Sequence, residues 1–143
     1  MALSSCIPIC PRYAETDQSG FVAEGRYVAW LELGRAALLK AHGFDYRDFE
    51  AQGYWMPVLE VGFTFHGPAC YDDALALTTS LGSRPSFRIR LDYAIHRGEE
   101  LLATAYSVQA FVNRSLRPVR PPPDFLAGLD RVFPREPEPG RAR

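Results

Sequence analysis

Between Arg26 and Gly43, apolar side chains recur at the spacing of one helical face: Tyr27, Trp30, Leu31, Gly34, Ala37, Leu38 and Ala41 follow i, i+3, i+4, i+7. The pattern predicts a helix of about 24 Å, long enough to cross a small sheet. Gly43 stands where a helix-ending glycine belongs. Gly34, inside the apolar stripe, allows close approach to a sheet, at a propensity cost of about 1 kcal/mol relative to alanine. Elsewhere the period shortens to two. Val58 to Phe65 reads as a strand in which Val61, Phe63 and Phe65 alternate with Gly62 and Thr64. Asp73 to Leu81, Ser86 to His96 and Leu101 to Asn113 read as three more, with turn formers at Gly82-Ser83 and Gly98-Glu99. Ser5 to Glu15 reads as a first strand, and Asp45 to Gln52 as one or two further helical turns. One strand, a long helix and an antiparallel run of four strands make an α+β plan in which the helix covers one sheet face.

At 143 residues the chain fits one domain, and chains of this size bury roughly 70% of their unfolded surface. Hydrophobic content of 47%, with 13% aromatic, supplies a core without disulfides or metals and excludes disorder for most of the length. The tail from Pro134, rich in proline, charge and glycine, is expected to fray. A formal charge of −1 argues against general nucleic-acid binding. Cys6, Cys10 and Cys70 are odd in number and lack CxxC spacing, which fits reduced thiols in the cytoplasm. No basic segment precedes an apolar run at the N-terminus, and no stretch reaches the ~20 apolar residues of a membrane helix. A cytoplasmic protein with no membrane partner is expected. His66, Cys70 and Asp72 have no spacing that orients them as a nucleophile with its base, or as metal ligands, and no metal is expected.

Three blocks carry a resemblance. The first is Tyr13-Ala14-Glu15-Thr16-Asp17-Gln18-Ser19-Gly20-Phe21-Val22, followed by Tyr27 and Trp30. The second is Pro68-Ala69-Cys70-Tyr71-Asp72-Asp73-Ala74-Leu75, and the third Arg117-Pro118-Val119-Arg120-Pro121. Their order and separation resemble the 4-hydroxybenzoyl-CoA thioesterase family of hotdog proteins over roughly residues 10 to 125. The resemblance implies a hotdog fold, a curved antiparallel sheet wrapped around the long central helix. It also implies hydrolysis of an acyl-CoA by a homodimer or homotetramer. No cofactor is expected, coenzyme A entering as part of the substrate.

Asp17 is the candidate catalytic carboxylate. An aspartate of ordinary pKa, about 3.9, is ionised at neutral pH and serves thioester hydrolysis as a nucleophile or as a base that orients water. The alternative is that it only stabilises its turn. The free N–H groups around Glu24, Gly25 and Arg26 at the helix start are candidates to polarise the carbonyl, and the resemblance places that contact at the amide of residue 24. Gly25 either lets substrate reach the backbone or eases the chain into the helix. Glu24 and Arg26 depart from the family pattern of Tyr or His and of Asn. Arg26 pairs with Asp17 or Glu24, or binds an anionic group of the substrate. Arg84, Ser86 and Arg88 are candidates for the coenzyme A phosphates. Arg88, Arg90 and Ser86 share one strand face, opposite Phe87, Ile89 and Leu91. Trp55 and Met56 lie where the family presents substrate-facing residues from the partner subunit. An acyl carrier protein in place of coenzyme A, or a non-catalytic acyl-binding module, are the alternatives to acyl-CoA hydrolysis.

Overall fold

The structure is a computed structural model that describes residues 3–133. The tail from Pro134 lies outside the described residues. The elements in chain order are β1 (Leu3–Ile9), α1 (Tyr27–Ala41), α2 (Tyr46–Ala51), β2 (Val58–Phe65), β3 (Leu75–Leu81), β4 (Arg88–Arg97), β5 (Glu100–Ala110) and α3 (Pro123–Leu129). The strands form one antiparallel sheet in the order β1-β3-β4-β5-β2, so β1 and β2 are its edges. This is the α+β hotdog plan, a sheet curved around one long helix.

Alternation decides which side chains meet that helix. β3 buries Leu75, Leu77, Thr79 and Leu81. β4 buries Ile89, Leu91, Tyr93 and Ile95 and leaves Arg88, Arg90 and Asp92 exposed. α1 buries Tyr27, Trp30, Leu31, Gly34, Arg35 and Leu38, and it lies over β1 and β3. At Gly34 a β-carbon would run into the Thr79 hydroxyl and stand 3.0 Å from Leu77 Cδ2, so the glycine sets the depth at which helix meets sheet. The core also contains polar groups. Tyr93 and Ser107 share a 2.7 Å hydrogen bond, the Gln109 amide donates to Ser107 at 2.7 Å, and Arg35 donates to the Tyr93 hydroxyl at 3.4 Å.

The four later strands and the long helix lie where the periodicity places them. The first strand does not extend to Glu15. It stops at Ile9, because Pro11 has no N–H for a ladder and Tyr13–Glu15 coil into a 3-10 turn. The periodicity does not predict α3; Pro123 in its first turn and the buried pair Phe125 and Leu129, four residues apart, are its local signals. Phe87 is not on the buried face with Ile89 and Leu91. It precedes β4, is 52% exposed, and lies beneath the Arg120 guanidinium at 5.6 Å. Among the described residues no helix is long and apolar enough to cross a membrane.

α1 lies mainly over β1 and β3 and meets β2 through Tyr27. Val58, Leu59, Val61 and Phe65 on this edge strand are exposed. Phe65 and Phe63 stack on one another, and both rings meet Tyr27 in the first turn of α1, at 5.0 and 6.2 Å. The far end of β2 therefore borders the start of the central helix.

Candidate active site

Asp17 sits on a short closed loop between β1 and α1. Thr16 bridges to Val22, Asp17 N donates to Phe21 O at 2.8 Å, and Gly20 turns the chain at φ +85°. The loop is pinned from two sides. Val22 N donates to Ala69 O at 2.8 Å, and Ala23 N donates to Glu15 O at 2.9 Å. Ala23 leads straight into the 3-10 turn Glu24–Arg26 that opens the central helix. One compact unit thus carries the carboxylate and the helix start together.

The Asp17 side chain is exposed. Its Oδ1 accepts from Ser19 N at 2.8 Å and from the Ser19 hydroxyl. The hydroxyl bond, with the amide bond second, holds the carboxyl below the ordinary aspartate range. At neutral pH it is anionic. The turn-stabilising role and the catalytic one are compatible, since Oδ2 accepts no hydrogen bond among the described residues.

At the helix start, Arg26 N donates to Ala23 O at 2.9 Å, whereas the Glu24 and Gly25 amides have no acceptor among the described residues. These are two of the orphan donors every helix N-terminus leaves, and they favour negative charge. Glu24, Gly25 and Arg26 are all exposed. Nothing lies within 4 Å of where a Gly25 β-carbon would be, so the backbone there is open to an incoming group. Arg26 forms no ion pair with Asp17 or Glu24 within 4 Å among the described residues.

The remaining candidates gather elsewhere. Arg84, Pro85, Ser86, Phe87, Arg120 and Pro121 line an open groove of about 440 Å³. Arg84 is engaged there by an ion pair with Asp130 and a 3.4 Å bond to Phe133 O, while Arg88 is exposed at the start of β4. Trp55 bridges to Val112 and, with Met56, lines a second groove of about 330 Å³ that includes Tyr46, Phe49 and Tyr54. Neither groove has Asp17 in its wall. The strand register explains the separation. Arg88 pairs with Ala110, and Gln109 with Val58, so both grooves lie at one end of the sheet. Asp17 lies at the other, where Phe21 bridges to Cys70 ahead of β3. The length of β3 puts the two ends about 20 Å apart.

Sequence reasoning missed Glu15 and Arg120. Glu15 had no local signal, since it is buried in a stretch whose neighbours Arg12, Tyr13 and Ala14 are exposed. For Arg120 the signal was a cation close to the aromatic Phe87, which only folding brings together.

Residues 11–129 match the thioesterase-like superfamily, and the chain belongs to that family. Among its relatives is YneP of Bacillus subtilis, provisionally named an acyl-CoA thioesterase, 34% identical over 111 residues that cover 76% of this chain and 80% of YneP. A hypothetical protein from Thermus thermophilus superimposes with a TM-score of 0.84 at 32% identity, over 92% of this chain and 99% of that one. The DHNA-CoA thioesterase of Staphylococcus aureus superimposes at 0.79 with 28% identity, over 92% and 84%.

Proposed function

We propose that this protein is an acyl-CoA thioesterase that uses Asp17, with the thioester carbonyl held at the Glu24 and Gly25 amides. The observation that carries the reading is an exposed, anionic carboxylate on a loop fixed to the amino end of a helix with two unused N–H donors. Kinship with thioesterases supports the reaction class. The amides oppose the negative charge that grows on the carbonyl oxygen as the carbon becomes tetrahedral. Asp17 then acts in one of two ways. Its carboxylate adds to the carbonyl carbon and expels the coenzyme A thiolate, leaving a mixed anhydride that water hydrolyses. Alternatively it takes a proton from a water that attacks the same carbon, and the tetrahedral intermediate collapses by breaking the C–S bond and expelling the coenzyme A thiolate, leaving the free acid.

The site is completed by a second copy. β2 is an apolar, unpaired edge, and such edges invite strand addition. Two β2 strands paired antiparallel about a two-fold axis set the start of one beside the end of the other. The partner's Trp55 and the partner's Met56 then flank Phe65 and the start of α1, supplying the acyl wall that a single chain lacks. The same operation carries the groove formed by Arg84, Ser86 and Phe87, with Arg88 beside it, towards the partner's Asp17, where its cations meet nucleotide phosphates. The protein works in the cytoplasm, where coenzyme A thioesters occur and its three thiols stay reduced.

The test is a panel of short, long and aromatic acyl-CoAs with detection of the released thiol. Wild-type protein releases coenzyme A from at least one of them. Asp17→Asn and Asp17→Ala each lower kcat by about 10²- to 10⁴-fold. Full rate in both variants rules out the role given to Asp17. A single turnover in ¹⁸O-water separates the two routes, since only the nucleophilic route can place label in the Asp17 carboxylate.

A further inference from the structure

Glu15 is the one acidic residue among the described residues that is buried, at 5% exposure. It is two residues from Asp17, and both of its carboxylate oxygens are occupied. Oε2 accepts from Trp30 Nε1 at 2.9 Å; Oε1 accepts from Arg12 N at 2.9 Å and from Arg12 Nε at 3.3 Å. Burial pushes this carboxyl up, but the bonds from Arg12 and Trp30 outweigh it and hold the group below its ordinary range. A carboxylate with both oxygens so bonded is a poor base. Its connections are the informative part.

Glu15 joins three parts of the site. Its main-chain oxygen takes the Ala23 N–H immediately before the helix entry, and its own N–H closes the turn onto Arg12 O at 2.9 Å. Its side chain reaches Trp30, which is buried on α1 with its ring against Tyr27 at 4.8 Å. The Arg12 guanidinium is largely in solvent, so its ion pair is screened and weak. The indole bond is buried and charge-assisted, the stronger kind.

We infer that Glu15 is a positioning residue, tying the Asp17 loop to the central helix through the Trp30 indole and so fixing the carboxylate relative to the Glu24 and Gly25 amides. The inference rests on the reading of Asp17 as the catalytic group. A displacement of about 1 Å at a reacting group costs up to about 100-fold in rate.

The test compares Glu15→Gln, Glu15→Asp, Trp30→Phe and the Glu15→Gln/Trp30→Phe double variant on the best acyl-CoA, well below each unfolding midpoint. Glu15→Asp keeps the charge but shortens the reach. Trp30→Phe keeps the ring but removes the N–H. Each single change lowers kcat about 10- to 100-fold with KM within about twofold, and the double variant is no slower than the worse single one. A purely structural role would lower the unfolding midpoint without this selective loss of kcat. If Asp17→Asn is inactive while the folded Glu15 and Trp30 variants keep wild-type kcat, or lose their effects additively, the clamp is wrong and Asp17 stands. If Asp17→Asn retains full rate, both fall together.

Discussion

The Ser19 hydroxyl controls how Asp17 titrates. It donates to the same carboxylate oxygen as the Ser19 amide and is the largest influence holding that group below its ordinary range. Hydrolysis by either route needs the anion, so the rate falls as pH drops through the Asp17 pKa. The acid limb of kcat/KM therefore lies below the usual aspartate range. Ser19→Ala removes the hydroxyl and leaves the amide, so the limb moves upward towards that range. A pH–rate profile of both proteins from pH 3 to 8 measures this, and an unmoved limb would mean that another group controls it. Arg84 illustrates the converse: its ion pair with Asp130 gives it a structural post in the groove, where Arg120 lies over the Phe87 ring and Arg88 stands exposed at the start of β4.

At the level of elements, the contact between α1 and β3 is an exacting joint. Gly34→Ala would set a methyl against the Thr79 hydroxyl and Leu77, and overpacking of this kind typically costs about 1–3 kcal/mol. Helix propensity returns at most about 1 kcal/mol. A net loss of stability in chemical denaturation is expected, and a gain would mean the helix can lift without penalty. Gly34 announced this joint in the sequence, because a residue without a side chain in the middle of a 3.6-residue apolar period marks where a helix axis comes close to its neighbour. β2 was legible to its end residues, since Gly62 and Thr64 interrupt the apolar face on every second position. The end of β1 was less legible, because apolar residues on both sides of Pro11 hid the turn that Glu15 closes. The burial of Arg35 has only its spacing from Leu31 and Leu38 as a local signal. A guanidinium inside a helix stripe looks solvent-facing until Tyr93 and the buried Ser107 and Gln109 beyond it are known. The loop bearing Asp17 was legible as a turn, but its clamp depends on Trp30, 15 residues on, which no local pattern reveals.

For the whole molecule, the exposed β2 edge sets the expectation. The wild-type protein is expected to sediment at two or four times its 16.0 kDa chain mass. Charges placed on this strand, as in Leu59→Lys/Val61→Lys, block edge pairing and yield a monomer that has lost thioester turnover. Analytical ultracentrifugation beside the activity assay reads both, and a fully active wild-type monomer would dismiss the shared site.

The separation of Asp17 from Trp55 and Met56 along the sheet also reaches into genetics. In the proposed shared cleft, an allele without the carboxylate and an allele with a ruined acyl wall would each encode inert assemblies. Expressed in one cell, they give hybrids in which one cleft takes its acid and its wall from the two intact sources. Such lesions are expected to complement in trans, and two lesions in the same half are not.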